Sequence, residues 1–107
     1  MSDRKLGAVS RVLADGRKYL SDENNWCQHR SRVTSGSWFN KHERYCATGY
    51  LVYKTKDPIQ ARAMNFLCLA SHDLYQQSVV RVNDELGHAA VLKIYDRAVG
   101  LALSGGV

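Results

Sequence analysis

Apolar residues return every three or four positions along four stretches of this chain, and that period commits most of its length to helices with one dry face. Leu6, Val9, Val12, Leu13, Gly16, Tyr19 and Leu20 form the first stripe and predict a helix over 4–20. Asn40 and Glu43 have the spacing of a capping box, and Tyr45, Cys46, Gly49, Tyr50 and Tyr53 follow on one side, which predicts a second helix over 41–54. Asp57-Pro58 is a further start signal: Asp accepts free amide hydrogens, and proline at the first helical position gives up no needed donor. Ile59, Ala63, Phe66, Leu67, Ala70 and Leu74 then mark a third helix over about 58–76. Val91, Ile94, Tyr95, Ala98, Val99 and Ala102 mark a fourth over about 88–103, ended by Ser104-Gly105-Gly106.

Between these stripes the pattern changes. From Ser21 to Asn40 it dissolves into Ser, Asn, Gly, His and Arg, so a long loop is expected, with Trp26 and Trp38 pinning it onto the core. The β-branched run Ser78-Val79-Val80-Arg81-Val82, followed by Asn83-Asp84-Glu85-Leu86-Gly87, reads as an extended approach to a turn. The expectation is an all-α fold, a compact bundle of about four helices with a long loop between the first two.

With 107 residues, the chain has room for one helical domain, 1–107, and a domain of that size buries about 60–68% of the surface its unfolded chain exposes. There is no repeat, heptad run or low-complexity segment. The longest apolar run falls far short of the roughly 20 residues that cross a bilayer. Three cysteines cannot all pair within one chain, and no apolar leader with a small-residue cleavage site precedes them. A reduced, cytoplasmic protein is expected.

The net charge of +5 is unevenly placed. Residues 1–32 carry 7 Lys/Arg against 4 Asp/Glu, residues 33–60 carry 4 against 2, and residues 61–107 carry 4 against 4. The basic N-terminal half suits phosphate, an acidic membrane surface or an acidic protein. Arg4, Lys5, Arg11, Arg17 and Lys18 lie on the polar side of the first helix, and Arg30 and Arg32 follow near Trp26 and Trp38. Such cations and aromatics contact phosphates and stack on bases, and equally suit an acidic protein surface. No zinc-finger spacing, RNA-binding aromatic motif or glycine-rich phosphate loop accompanies them.

Two Cys/His pairs stand at helical spacing, His42-x-x-x-Cys46 and Cys68-x-x-x-His72. Facing each other, they would supply four tetrahedral ligands for zinc, although a buried small hydrophobe is the ordinary role of such cysteines. Trp26-Cys27-Gln28-His29 lacks the second cysteine of a metal knuckle. Thiol chemistry is the other option: Cys46 or Cys27 as nucleophile, His42, His29 or His88 as proton acceptor, and Asp84 or Asp96 as orienting group. The catalytic set considered is Cys46, His42 and Asp84, and no cofactor is expected.

Trp26-Cys27, Tyr45-Cys46-Ala47-Thr48-Gly49, Asn83-Asp84 and the closing Val91–Ala98 segment together resemble a family of small helical proteins of unknown function from bacterial and phage genomes, over roughly residues 5–100. In that family a Trp-Cys lies near the first helix, a Cys-x-x-Gly segment opens the second, and an Asn-Asp turn precedes the last. The resemblance implies one helical domain and a phage or mobile-element setting, and it implies no established reaction. Gly87-His88-Ala89 departs from the Gly-Arg-Thr-like cap of that family, which leaves the last helix's cap open. The functional expectation is a small interaction protein, a phage accessory binding a host macromolecule through Arg11, Arg17, Lys18, Trp26, Arg30, Arg32 and Trp38. A nucleic-acid-binding module and a Cys/His enzyme or zinc-binding domain are the alternatives.

Overall fold

The computed structural model describes residues 7–107. Arg4, Lys5 and Leu6, assigned above to the first helix, lie outside the described residues. Helix α1 (Ala8–Leu20) carries the predicted stripe inward, with Val9, Leu13 and Leu20 buried. Gly16 serves a close approach: a Cβ there would lie 2.9 Å from both the Tyr50 and Tyr95 rings. α1 has no side-chain cap, and its first free amides are satisfied instead by the Val107 carbonyl, which accepts from Val9 N–H at 3.0 Å and Ser10 N–H at 3.1 Å.

The segment expected to be a loop is where the fold departs most from the sequence reading. After a 3₁₀ turn (Glu23–Asn25), strands β1 (Arg32–Ser37) and β2 (Asn40–Tyr45) pair antiparallel from Arg32↔Tyr45 to Ser37↔Asn40, joined by Trp38-Phe39. The second helix is correspondingly shorter: α2 (Ala47–Lys54) starts after Cys46, whose sulfur caps it by accepting from Gly49 N–H. Asn40 and Glu43 therefore sit in a strand and cap nothing. Tyr45 decides the matter, because as the last strand residue it is buried and its hydroxyl reaches back to Glu43 Oε2 at 2.6 Å, while Tyr19 Oη donates to Glu43 O at 2.6 Å.

Helix α3 (Ile59–Tyr75) follows the predicted boundaries closely, burying Ala63, Leu67 and Ala70. Phe66, expected in its central stripe, is half-buried at the margin of the core, and Leu74 is exposed. The predicted extended stretch is helical: α4 (Val79–Arg81), capped by Ser78 Oγ accepting from Arg81 N–H, runs into a π-helical turn (Val82–Leu86). Helix α5 (His88–Ser104) then crosses α1 and α3 as the central element, with Val91, Ile94, Tyr95, Ala98 and Ala102 buried. Its start has no side-chain cap, and His88 is occupied elsewhere, its Nε2 lying 2.6 Å from Leu20 O.

The all-α expectation is thus corrected. The described residues hold five helices and a two-stranded antiparallel sheet, a mixed α/β composition. None of these helices is long and apolar enough to cross a membrane.

Candidate functional site

Asn83 is a polar side chain with 1% exposure, placed by the π-helical turn at the junction of three segments. Its Oδ1 accepts from Trp26 Nε1 at 2.7 Å and from Ala47 N–H at 2.9 Å. Its Nδ2 donates to Cys27 O and to Asp84 Oδ1, each at 3.0 Å. All four of its hydrogen-bonding positions are filled, as burial of an amide requires. Gln28 Nε2 adds bonds of 3.2 Å to the carbonyls of Asn83 and Asp84. Asn83 and Asp84 are expected to set the turn locally; one bond, Asn83 to Asp84, is local, but the other three partners of Asn83 lie 36 to 57 positions away.

The same junction explains Cys46-x-x-Gly49. Cys46 N–H donates to Ser31 O at 3.1 Å, and Gly49 lies so close to that carbonyl that a Cβ would collide with it. Beside the junction opens a cavity of about 150 Å³ lined by His29, Arg30, Cys46, Thr48, Asn83 and Asp84. Cys46, 7% exposed, has its sulfur 3.2 Å from Gly49 N and 3.4 Å from Thr48 Oγ1. His29 N–H donates to Asp84 Oδ1 at 2.8 Å and its Nδ1 lies 3.7 Å from Oδ2, which holds this non-glycine residue at φ 65. The His29 backbone bond, reinforced by Asn83 and the imidazole charge, sets the Asp84 carboxyl below the usual carboxylate range.

The sequence-derived catalytic set is only partly gathered. Cys46 and Asp84 share the cavity, but His42 sits on exposed β2 with Nε2 2.7 Å from Asn24 O. The imidazole in the cavity is His29. The proposed zinc pairs are not two helical pairs: His42 is in a strand and Cys46 is a cap, whereas Cys68 and His72 lie on the exposed side of α3. Among the described residues no group of three His, Cys, Asp or Glu side chains is disposed to hold a metal ion.

The binding residues divide differently. Arg11 and Lys18 are exposed on α1, but Arg17 is engaged with Asp96, Nε to Oδ1 at 2.8 Å and Nη2 to Oδ2 at 3.4 Å. Trp26 does pin its segment to the core, through Asn83 and a tilted stack on His88 at 5.3 Å. Trp38 does the opposite. It is 82% exposed at the hairpin tip beside Phe39, 76% exposed, with ring centroids 5.2 Å apart and planes at 81°.

Below that tip the strands are basic. Arg32, Lys41 and Arg44 are exposed, Arg30 stands at the base, and Glu43 is the one acid between residues 24 and 56. The Arg32 guanidinium lies 4.3 Å from the Tyr53 ring centroid and 3.7 Å from Glu43 Oε1, so it is held against the body. Phe39, Lys41 and Arg44 were absent from the sequence-derived set. A signal existed in Ser35-Gly36-Ser37 and Asn40 bracketing an aromatic pair, the composition of a hairpin turn.

A model of the family of unknown function DUF6197 matches residues 5–101. No curated protein and no solved structure matches the chain.

Proposed function

The chain belongs to that family, and from this premise we propose that it is a small interaction protein which grips an acidic partner protein with the tip of its β1–β2 hairpin. The observation that carries this reading is the Trp38–Phe39 pair, two large aromatic side chains held in water at the end of a ribbon and contributing nothing to the core. Aromatic side chains of this kind anchor protein interfaces when they enter a pocket, and a cationic rim adds steering toward an acidic surface. Lys41, one ladder pair below the tip, supplies that rim, and Arg44 near the root adds to the positive field of the ribbon.

The edge-to-face geometry favours a protein over a nucleic acid. Successive bases stack on ring platforms that run roughly parallel, whereas these rings stand nearly perpendicular, at 81°, and form a knob that suits a pocket. The cavity beside Asn83 supports an enzyme less well, because the Cys46 sulfur is occupied as the α2 cap and among the described residues no hydrogen bond joins it to an imidazole. In the phage or mobile-element setting implied by the resemblance, the partner is a host protein met in the cytoplasm.

The test compares wild type with Trp38→Ser/Phe39→Ser and with Lys41→Gln/Arg44→Gln. Each is immobilised in nuclease-treated bacterial lysate and, separately, titrated with single-stranded DNA across a salt series. A protein captured by wild type, lost from the tip variant and weakened in the charge variant is expected. Capture that ignores both variants, or binding confined to DNA with a steep salt dependence, overturns the reading.

A further inference from the structure

We propose that Cys27 and Cys46 form a disulfide-forming dithiol at the root of the hairpin, a modification site that takes a small peroxide as oxidant. Trp26 and Tyr45 make an isolated parallel bridge, and Cys27 N–H donates to Tyr45 O at 3.2 Å. The next residues in that register are Cys27 and Cys46. Paired strands lie about 4.8 Å apart, inside the Cα separation of about 4.4–6.8 Å that a disulfide accepts.

Orientation agrees with the register. Side chains alternate along an extended segment, and both Trp26 and Tyr45 turn to the core. The residues that follow each of them turn the other way together, and Cys46 does line the open cavity. Cys27 Sγ donates to Arg30 O at 3.3 Å, and Arg30 lines the same cavity as Cys46, which brings both thiols to one side of the hairpin root. Cys27 is half-buried and Cys46 is reached through the cavity, so a molecule the size of hydrogen peroxide has access to both. Cys68, exposed on α3, is the built-in comparison.

In the reaction the two thiols give up two hydrogens and two electrons. One sulfur takes an oxygen from hydrogen peroxide as a sulfenic acid, releasing the first water. The second sulfur then attacks it, forms the S–S bond and releases the second water. The product closes a ring around the whole hairpin, residues 28–45, joining its two roots covalently.

The experiment treats the reduced full chain with hydrogen peroxide and follows free thiols and intact mass. Free thiols are expected to fall from three to one, with a mass loss of about 2 Da and a cross-linked Cys27–Cys46 peptide, all reversed by dithiothreitol. Cys27→Ser and Cys46→Ser should each abolish the cross-link, and Cys68→Ser should retain it. Serine at 46 keeps an oxygen acceptor for the α2 cap, and far-UV circular dichroism verifies the fold. If that variant is unfolded, Cys27→Ser decides. Mass gained as added oxygen with no loss of two hydrogens, or bonding only through Cys68, overturns the proposal.

Discussion

Replacing Asn83 by alanine removes four hydrogen bonds at once, and the cost follows from what each partner can do afterwards. Ala47 N–H is buried, so losing its acceptor carries the full penalty of an orphaned donor, about 1–3 kcal/mol. The Trp26 indole N–H is half-buried and gains partial access to water, so its loss adds about 1 kcal/mol. Asp84 Oδ1 keeps its bond from His29 N–H and contributes little. Cys27 O and the vacated amide volume add about another 1 kcal/mol. The expected destabilisation is about 3–5 kcal/mol, a large share of the stability of a small domain. Urea unfolding of Asn83→Ala against wild type, monitored by circular dichroism, measures it. Asn83→Asp should be damaging too, because it keeps the acceptor but sets a second carboxylate beside Asp84 and loses the donor to Cys27 O. A loss under about 1 kcal/mol for the alanine variant would falsify the claim that this side chain holds three segments together.

Two glycines on helices should respond in opposite senses. Gly49→Ala drives a Cβ into the Ser31 carbonyl and should cost more than about 2 kcal/mol, while Gly100→Ala, with nothing within 4 Å, should stabilise α5 by roughly 0.5–1 kcal/mol. Thermal melts that moved both variants in one direction would contradict this. Leu67→Ala should cost about 2–5 kcal/mol and Phe66→Ala clearly less, since only Leu67 is fully enclosed; the reverse order in denaturant unfolding would invalidate the assigned core. Because the Asp84 carboxyl is depressed in the folded chain, its contribution is complete above the ordinary carboxylate pKa near 4 and fades as pH falls through the folded value. Asp84→Asn should therefore be less stable at pH 7 and lose less between pH 7 and pH 3 than wild type, and parallel acid limbs would argue against it.

The helices α1, α3 and α5 were legible because each buries a stripe of period 3.6, although α3 also leaves Leu69 and Leu74 exposed on its outer side. The hairpin was not. Of its twelve strand residues only Tyr45 is buried, so no alternation of apolar and polar marks a face. Asn40 and Glu43 matched a capping spacing by composition alone, and the true cap, Cys46, is a residue type that seldom signals a helix start. Val79-Val80-Arg81-Val82 favoured a strand by propensity, which the Ser78 cap and burial of Val79 and Val82 overrode. For the candidate site, Trp26, Cys46, Gly49, Asn83 and Asp84 could be picked out individually as motif residues. Their convergence could not, because nothing local to Asn83 names partners at 26, 27 and 47. Phe39 escaped because an exposed aromatic has no periodic partner.

The Asn83 bonds to Cys27 and Ala47 also fix when the hairpin can mature. Those two residues flank the ribbon, and the side chain that joins them leaves the ribosome 36 positions after Ala47. Until then the ladder from Arg32↔Tyr45 to Ser37↔Asn40 can form on its own, but nothing ties its root to the turn at Asn83, and closing so long a loop is a late event in folding. A nascent chain ending before residue 83 thus carries the exposed Trp38 and Phe39 on a ribbon whose root is not yet seated, free to meet other chains in many orientations. The last quarter of the sequence, by delivering one amide, is what turns that sticky segment into a positioned arm.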